Sequence, residues 1–138
     1  MPKQHLNPEE LFPSLQYGFS QIVTANPGKT IFIAGQVAWD AEQNIVGGRD
    51  LKAQMLQAFS NVQKALRVAG ANLSDVVAMR LYIVDYDPQQ APEIVEVINT
   101  VFADLLPPAC TWIGVAALAN EDFLIEIEVT AVVEAEST

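Results

Sequence analysis

The sequence predicts an α+β domain in which two helices pack on one face of a mixed, mostly antiparallel six-stranded sheet. Two stretches predict the helices, one after Asp50 and one after Pro88, because apolar residues recur in each at every third or fourth position. A third observation predicts the sheet, since residues 125–130 alternate between apolar and polar at a period of two. Two helices can cover only one face of such a sheet, so the other face decides how the protein assembles.

The first half of the chain predicts two strands, a short extended piece and a helix. Residues 1–16 contain three prolines and are expected to form an irregular leader. The turn sequence at 26–29 joins strands predicted over 18–24 and 30–38 into a hairpin, and the extended piece is expected at 45–46.

The first helix has recognisable signals at both ends. Asp50 is a good N-cap, and Gly70 stands where a helix C-terminal glycine belongs. The residues expected to face the core are Leu51, Met55, Phe59, Val62, Leu66 and Ala69.

The second half of the chain predicts a strand, a helix and two final strands. The strand covers 75–84, Asp87 and Pro88 start a new helix, and Pro107 ends it before the final strands. The positions that this second helix is expected to bury are Ala91, Val95, Ile98, Phe102 and Leu105.

The two faces of the predicted sheet differ in polarity. Over 76–84 the odd positions are apolar and should meet the helices: Val77, Met79, Leu81 and Ile83. The second face takes the even positions Val76, Ala78, Arg80, Tyr82 and Val84, joined by Trp112, Ala116, Leu124 and Val132. That set is too apolar for water and too polar for a sealed core, so we expect self-association with pockets along the interface.

Composition bounds the class of protein. A chain of 138 residues with 51% hydrophobic and 17% charged residues fits one globular domain over 1–138. The net charge of −10 and the scattered basic residues argue against nucleic-acid binding. A single cysteine excludes an internal disulfide, and neither a secretion signal nor a membrane-spanning stretch is visible. We therefore expect a cytoplasmic protein without a membrane partner.

Short motifs along the chain resemble those of the RidA (YjgF) family, formerly labelled endoribonuclease L-PSP or translation inhibitor. No single motif is specific, but their order and spacing together are. They are Gly18-Phe19-Ser20-Gln21, Ile33-Ala34-Gly35-Gln36-Val37, Gly47-Gly48 with Gln54 and Ala58, 69–77, Val97-Ile98-Asn99 with Phe102, Pro107-Pro108-Ala109, 115–118 and Ile125-Glu126-Ile127-Glu128.

The resemblance implies a fold like that of small chorismate mutases, assembled as a homotrimer with three clefts between subunits. It also implies hydrolysis of reactive imines and enamines, with a small carboxylate-type metabolite as ligand and no cofactor. The old ribonuclease label is disfavoured because the chain is so acidic.

At the positions that correspond to the family's site residues, this chain keeps one of the polar side chains and replaces the others. The arginine that holds the substrate carboxylate corresponds to Cys110, and the stacking tyrosine to Phe19. The serine corresponds to Ala34, next to Gly35. Glu126 best matches the glutamate that places the water, although an extra residue in the preceding loop leaves this match open by one position.

Cys110 itself has two interpretations. It is a reactive thiol if a cation lowers its pKa, or a small apolar side chain near the start of a strand. The only histidine, His5, lies in the leader, so no imidazole is expected beside it, and one His with one Cys also excludes a structural zinc site.

Arg80 is the only basic residue in a predicted core strand and should find a carboxylate, either Glu126 or Glu128. It is then either a structural partner of that glutamate or a substitute anchor for a ligand anion.

Two functional hypotheses follow. In one, the protein is an imine or enamine deaminase in which Arg80 clamps the anion and Glu126 orients water as the catalytic residue. In the other, loss of the arginine leaves a non-catalytic or differently specific ligand-binding protein. Phe19 and Trp112 stack on a planar ligand or only pack in an interface. The predicted ligand contacts are Arg80, Phe19, Ala34, Gly35, Cys110, Thr111 and Trp112.

Overall fold

The computed structural model describes residues 3–26 and 28–134. Six strands and two α-helices occur in this part of the chain. In order they are β1 (Gln4–Leu6), β2 (Ile22–Thr24), β3 (Gly28–Gln36), α1 (Leu51–Val68), β4 (Val76–Val84), α2 (Ala91–Phe102), β5 (Ala109–Val115) and β6 (Ile125–Glu134). Short 3-10 turns lie at Ser14–Tyr17, Leu73–Asp75 and Pro88–Gln90.

The strands form two sheets, so the predicted single six-stranded sheet is wrong. The larger sheet has the order β3-β6-β4-β5, in which β4 and β5 are parallel and the other pairs antiparallel. The smaller one is the antiparallel pair β1-β2. Strand β1 arises from the predicted irregular leader, whereas the predicted extended piece at 45–46 contributes only an isolated bridge between Ile45 and Trp39.

The predicted hairpin between the second and third strands is also wrong. Strand β2 pairs with β1, and β3 pairs with β6 near the end of the chain. Three-residue β2 offers little surface, whereas β6 brings Ala131 opposite Ile31 and buries both residues. Burial of the β3 face outweighs the local turn signal, and Pro27 of that turn lies outside the described residues.

Helix α1 is confirmed. The Asp50 side chain accepts a hydrogen bond of 3.0 Å from the backbone N–H of Ala53, which caps the first turn. Gly70, with φ of +84°, follows the last turn in the left-handed region that glycine adopts without strain. The helix buries Leu51, Gln54, Met55, Ala58, Phe59, Val62 and Leu66.

Helix α2 is shorter than predicted. It starts after the Pro88–Gln90 turn and ends at Phe102, where Ala103 takes a φ of +43°. Its buried residues are Ile94, Val97, Ile98 and Phe102. The predictions for Val95, which is half-buried, and Leu105, which is exposed, are wrong because the true apolar stripe runs through Ile94 and Val97.

One face of the four-stranded sheet packs against both helices in a single buried cluster. Met79, Leu81 and Ile83 from β4 lie in this cluster, as predicted. Val76 is buried and Val77 only half-buried, the reverse of the prediction, because the register shifts between Val76 and Ala78. On β6 the cluster takes Ile125, Ile127, Val129 and Ala131.

The second face of the sheet carries the polar positions of β4 and β6. Arg80 lies opposite Glu128, and Tyr82 lies opposite Glu126. Trp112 and Leu124 do not join this face as predicted, since both pack against the buried cluster. Trp112 pairs with Leu81, because the parallel register of β5 points its even positions toward the helices. No helix in the described part of the chain is long and apolar enough to cross a membrane.

Candidate functional site

Two cavities lie at opposite edges of the four-stranded sheet. The β5-edge cavity has a volume of 630 Å³ and is lined by Phe12, Tyr17, Phe19, Ser20, Gln21, Tyr86, Ala91, Ala109, Cys110, Thr111 and Trp112. The β3-edge cavity has a volume of 530 Å³ and is lined by Gly35, Gln36, Val37, Trp39, Asp40, Ala41, Asn61, Lys64, Phe123 and Glu126. Three strand spacings, about 14 Å, separate the two edge strands.

The predicted site residues therefore fall into separate groups. Phe19, Cys110, Thr111 and Trp112 line the β5-edge cavity, and Gly35 and Glu126 line the β3-edge cavity. Ala34 and Arg80 line neither. The positions that correspond to the family's site residues thus lie in one chain, but a single copy does not bring them together.

Hydrogen bonds to the double proline hold the wall of the β5-edge cavity together. Gly18, with φ of +87°, ends the Ser14–Tyr17 turn so close to α2 that an added Cβ would lie 3.2 Å from Ile98. The backbone N–H of Ser20 then donates to the carbonyl of Pro108 at 3.0 Å, and its hydroxyl donates to that of Pro107 at 2.6 Å. These bonds place Phe19 beside the start of β5.

Aromatic rings dominate this wall. Phe12 and Phe19 meet edge to face with centroids 6.0 Å apart, and Tyr86 and Trp112 do so at 6.2 Å. Phe12, Tyr17 and Tyr86 were not predicted from the sequence. Tyr17 could have been found from the sequence, because it lies two residues before Phe19. It places in the cavity wall a hydroxyl group that Phe19 lacks.

Cys110 is a neutral thiol in this wall. Burial raises its pKa to about 12, and the nearby Trp112 ring N–H opposes that shift only weakly. That N–H is itself buried without an acceptor of hydrogen-bond geometry among the described residues. A thiol that stays protonated is not a nucleophile, so the structure favours the interpretation of Cys110 as a small apolar side chain.

The β3-edge cavity is charged. Between Ile33 and Gln36 the register of β3 shifts, and the carboxylate of Glu126 occupies the space beside Gly35. A Cβ on Gly35 would lie 2.0 Å from Oε2 of Glu126, so only glycine leaves this carboxylate its present place. Ala34, in the same irregular stretch, is exposed, and its carbonyl accepts a hydrogen bond of 3.0 Å from the Gln36 side chain.

Asp40 and Lys64 are the other charged residues that line the β3-edge cavity. Hydrogen bonds from Asn44, backbone first, hold the pKa of Asp40 below its usual range, with Lys64 adding a smaller effect. Asp40 is therefore occupied in stabilising its own turn.

Arg80 lies on the second face, between the two cavities. Its guanidinium lies 3.6 Å from Oε1 of Glu128, and the Tyr82 hydroxyl donates to the same oxygen at 3.1 Å. The partner of Arg80 is thus Glu128 rather than Glu126, and the pair is half-exposed rather than buried, with the arginine side chain 52% exposed. Glu126 has no salt bridge among the described residues.

Comparisons with known proteins agree on one family. The model of the family described as endoribonuclease L-PSP matches residues 12–133. A 2-iminobutanoate/2-iminopropanoate deaminase from Dermatophagoides farinae is 29% identical, over 84% of this chain and 86% of that protein. A RutC family protein from Pyrococcus abyssi is 34% identical, over 75% of this chain and 79% of that protein.

Among solved structures, a Rid family protein of unknown function from Yersinia pestis, YyfB, superposes with a TM-score of 0.93. It is 44% identical, and the match covers 96% of this chain and 100% of that one. The family match spans most of the chain, and the motifs that suggested the family, among them the double proline, all lie within the matched residues. The chain belongs to the RidA (YjgF) family.

Proposed function

We propose that the protein assembles as a ring of three copies, in which the β5-edge cavity of one copy and the β3-edge cavity of the next form one small-molecule cleft. The separation of the two cavities within one chain supports this arrangement, since only a neighbouring copy can bring Glu126 close to Phe19 and Cys110. A head-to-tail contact between different edges closes into a ring when the rotation fits. The second face also carries Phe32, which is 79% exposed in the single chain.

The proposed cleft binds a small metabolite but does not hydrolyse 2-imino acids as the family's deaminases do. One observation carries this proposal: no charged residue lines the β5-edge cavity, and a neutral thiol stands where the resemblance places the substrate-binding arginine. Arg80 does not replace that arginine, because it lies on the second face beside Glu128. A carboxylate in the β5-edge half of the cleft would therefore lose its hydration without gaining a cation from that half, since Lys64 lies in the β3-edge half.

A deaminase of altered specificity is the second candidate. It is favoured by Glu126, whose carboxylate lines the β3-edge cavity without being held by Arg80. Such a carboxylate is placed to orient a water molecule on a substrate that needs no anion clamp.

The test follows hydrolysis of imines generated in situ from amino acids by an amino-acid oxidase. We expect the wild type and Cys110→Ser to stay at background, and Cys110→Arg to hydrolyse 2-imino acids at least tenfold faster than either. Circular dichroism and light scattering would check that each variant is folded and assembled.

Wild-type turnover well above background would contradict the loss of activity. If that turnover also survived both Arg80→Ala and Glu126→Ala, a deaminase using these two residues would be excluded as well. Assembly is tested separately, because light scattering should give three times the chain mass of 15.0 kDa. A monomer at micromolar concentration would rule out the proposed ring.

A further inference from the structure

The walls of the β5-edge cavity suit a different ligand from the one that the family resemblance implies. The chain has six phenylalanines, three tyrosines and two tryptophans, and five of these aromatic residues line this one cavity. We infer that the β5-edge cavity binds the uncharged planar ring of an aromatic small molecule. The inference rests on the proposed function, in which this cavity is one half of the ligand cleft.

The first support is electrostatic. None of the residues that line the cavity carries a charge, and Cys110 remains a neutral thiol. A ligand carboxylate or ammonium buried in this half of the cleft would find no partner of opposite sign among its lining residues, because the charged residues Asp40, Lys64 and Glu126 belong to the other half. An uncharged ring loses little hydration there.

The second support is that inner polar groups of the wall are already engaged. The Ser20 hydroxyl donates to the carbonyl of Pro107, and the Gln21 side-chain amide donates to that of Phe12 at 3.0 Å. The hydroxyls of Tyr17 and Thr111 belong to exposed residues, so they lie at the rim. The Trp112 ring N–H is buried without an acceptor among the described residues, so the interior offers ring surfaces together with this donor.

The third support is the geometry of the rings. Phe12 with Phe19, and Tyr86 with Trp112, form two edge-to-face pairs on different segments of the wall. Edge-to-face pairs leave ring faces open on which a further flat ring can stack. The cavity volume of 630 Å³ falls within the range of small-molecule sites, roughly 300–1,000 Å³.

The experiment compares three probes that share one ring system: indole, the anion indole-3-acetate and the cation tryptamine. Titration calorimetry at neutral pH with the assembled wild-type protein should show binding of indole, with both charged probes at least tenfold weaker. Tighter binding of indole-3-acetate than of indole would overturn the inference and support a carboxylate ligand. Tighter binding of tryptamine would overturn it in favour of a cation held by the rings.

Variants locate the binding site. Trp112→Leu should weaken indole binding at least tenfold, whereas Val68→Ala, at an exposed position of α1 outside both cavities, should leave it within twofold of wild type. Tyr17→Ala removes a ring that is 48% exposed, so it should weaken binding without disturbing the fold. Equal effects of Trp112→Leu and Val68→Ala would place the indole elsewhere and overturn the inference.

Cys110→Arg should reverse the preference, so that indole-3-acetate binds more tightly than indole. If wild type binds no indole, the ligand class is wrong, while the imine assay and the mass of the assembly still test the proposed function independently. If indole binds but the protein is monomeric, the ring is wrong while the ligand class stands.

Discussion

The two cavities lie at the edges of one sheet but differ in polarity and in the contacts that shape them. The β5-edge cavity is aromatic, uncharged and held together by hydrogen bonds from the Ser20 hydroxyl and backbone N–H to the carbonyls of the double proline. The β3-edge cavity is more polar, contains Asp40, Lys64 and Glu126, and depends on a missing side chain at Gly35. In the proposed ring, one cleft takes residues from two edges whose chemistry can change separately, so that ligand selectivity can diverge at β5 while the carboxylate at β3 is kept.

The largest expected effect tests whether the β5-edge wall is as poorly solvated as its pKa shift implies. With a pKa of about 12, Cys110 at pH 8 holds roughly one thiolate in ten thousand, against about a quarter for an ordinary exposed thiol. We expect its reaction with a thiol reagent to be on the order of a thousandfold slower than that of Ala41→Cys in a Cys110→Ser background, where the new thiol lines the β3-edge cavity.

The rate at Cys110 should rise about tenfold per pH unit up to pH 10, because each unit multiplies the thiolate fraction by ten. A plateau below pH 9 would mean that the thiol is solvated or beside a cation. Unfolding in guanidinium chloride should restore ordinary reactivity in the same protein.

The next largest effect tests whether different contacts stabilise the two cavities. Gln54 is fully buried, and its side chain bonds to the carbonyls of Gly48 and Asp122 and to the backbone N–H of Leu124. Gln54→Leu leaves three backbone groups without partners, so we expect a loss of about 3–5 kcal/mol in the free energy of unfolding measured with urea.

Gln57→Leu, on the same helix but with one partially exposed hydrogen bond to Asn61, should cost less than about 1 kcal/mol. In Gln54→Leu, hydrogen exchange should accelerate first at Phe123, beside the β3-edge cavity. Acceleration at the β5-edge cavity first would contradict separate support of the two sites.

A smaller effect tests the packing of Glu126 against Gly35. Gly35→Ala places a methyl group where the Glu126 carboxylate now lies, so we expect it to destabilise the protein by about 1–3 kcal/mol. In a Glu126→Ala background the space is free, and the same substitution should cost at least about 1 kcal/mol less. Additive costs in this double-mutant cycle would show that the glycine is required for another reason.

The smallest effect concerns His5, which anchors β1 to the β5-edge wall. Its Nδ1 lies 3.1 Å from the carbonyl oxygen of Pro107 and 3.2 Å from the Ser20 hydroxyl, and partial burial lowers its pKa. Because the unfolded chain then binds the proton more readily, stability should fall as the pH drops through and below about 6.5.

Between pH 7.5 and 5.5 we expect the wild type to lose more stability than His5→Gln does, by less than about 1 kcal/mol. Urea titrations at the two pH values measure the difference. An equal or greater loss in His5→Gln would mean that carboxylates alone set the pH dependence.

Much of the fold was predictable where local periodicity is strong. Helix α1, with Asp50 at its start and Gly70 after its end, follows from apolar spacing that no distant contact reverses. The buried positions of β4 and β6 follow from it too, except at Val76 and Val77, where the register shift with β6 reverses them. The hairpin was not predictable, because β3 has a longer and more apolar partner in β6 than in its sequence neighbour. The prediction for Trp112 was wrong for a related reason, since the register of a parallel pair of strands is set by packing rather than by a turn.

The sequence by itself determined the family, the presence of Cys110 where the resemblance places an arginine, and the alternation that puts Glu126 and Glu128 on one face. Only the tertiary structure decided which glutamate meets Arg80, which residues share a cavity, and that Phe12, Tyr17 and Tyr86 surround Cys110. Side-chain identity and period are local properties that can be read along the chain. Which strands lie side by side depends on how the whole sheet is buried, so it is known only when the neighbours of every strand are known.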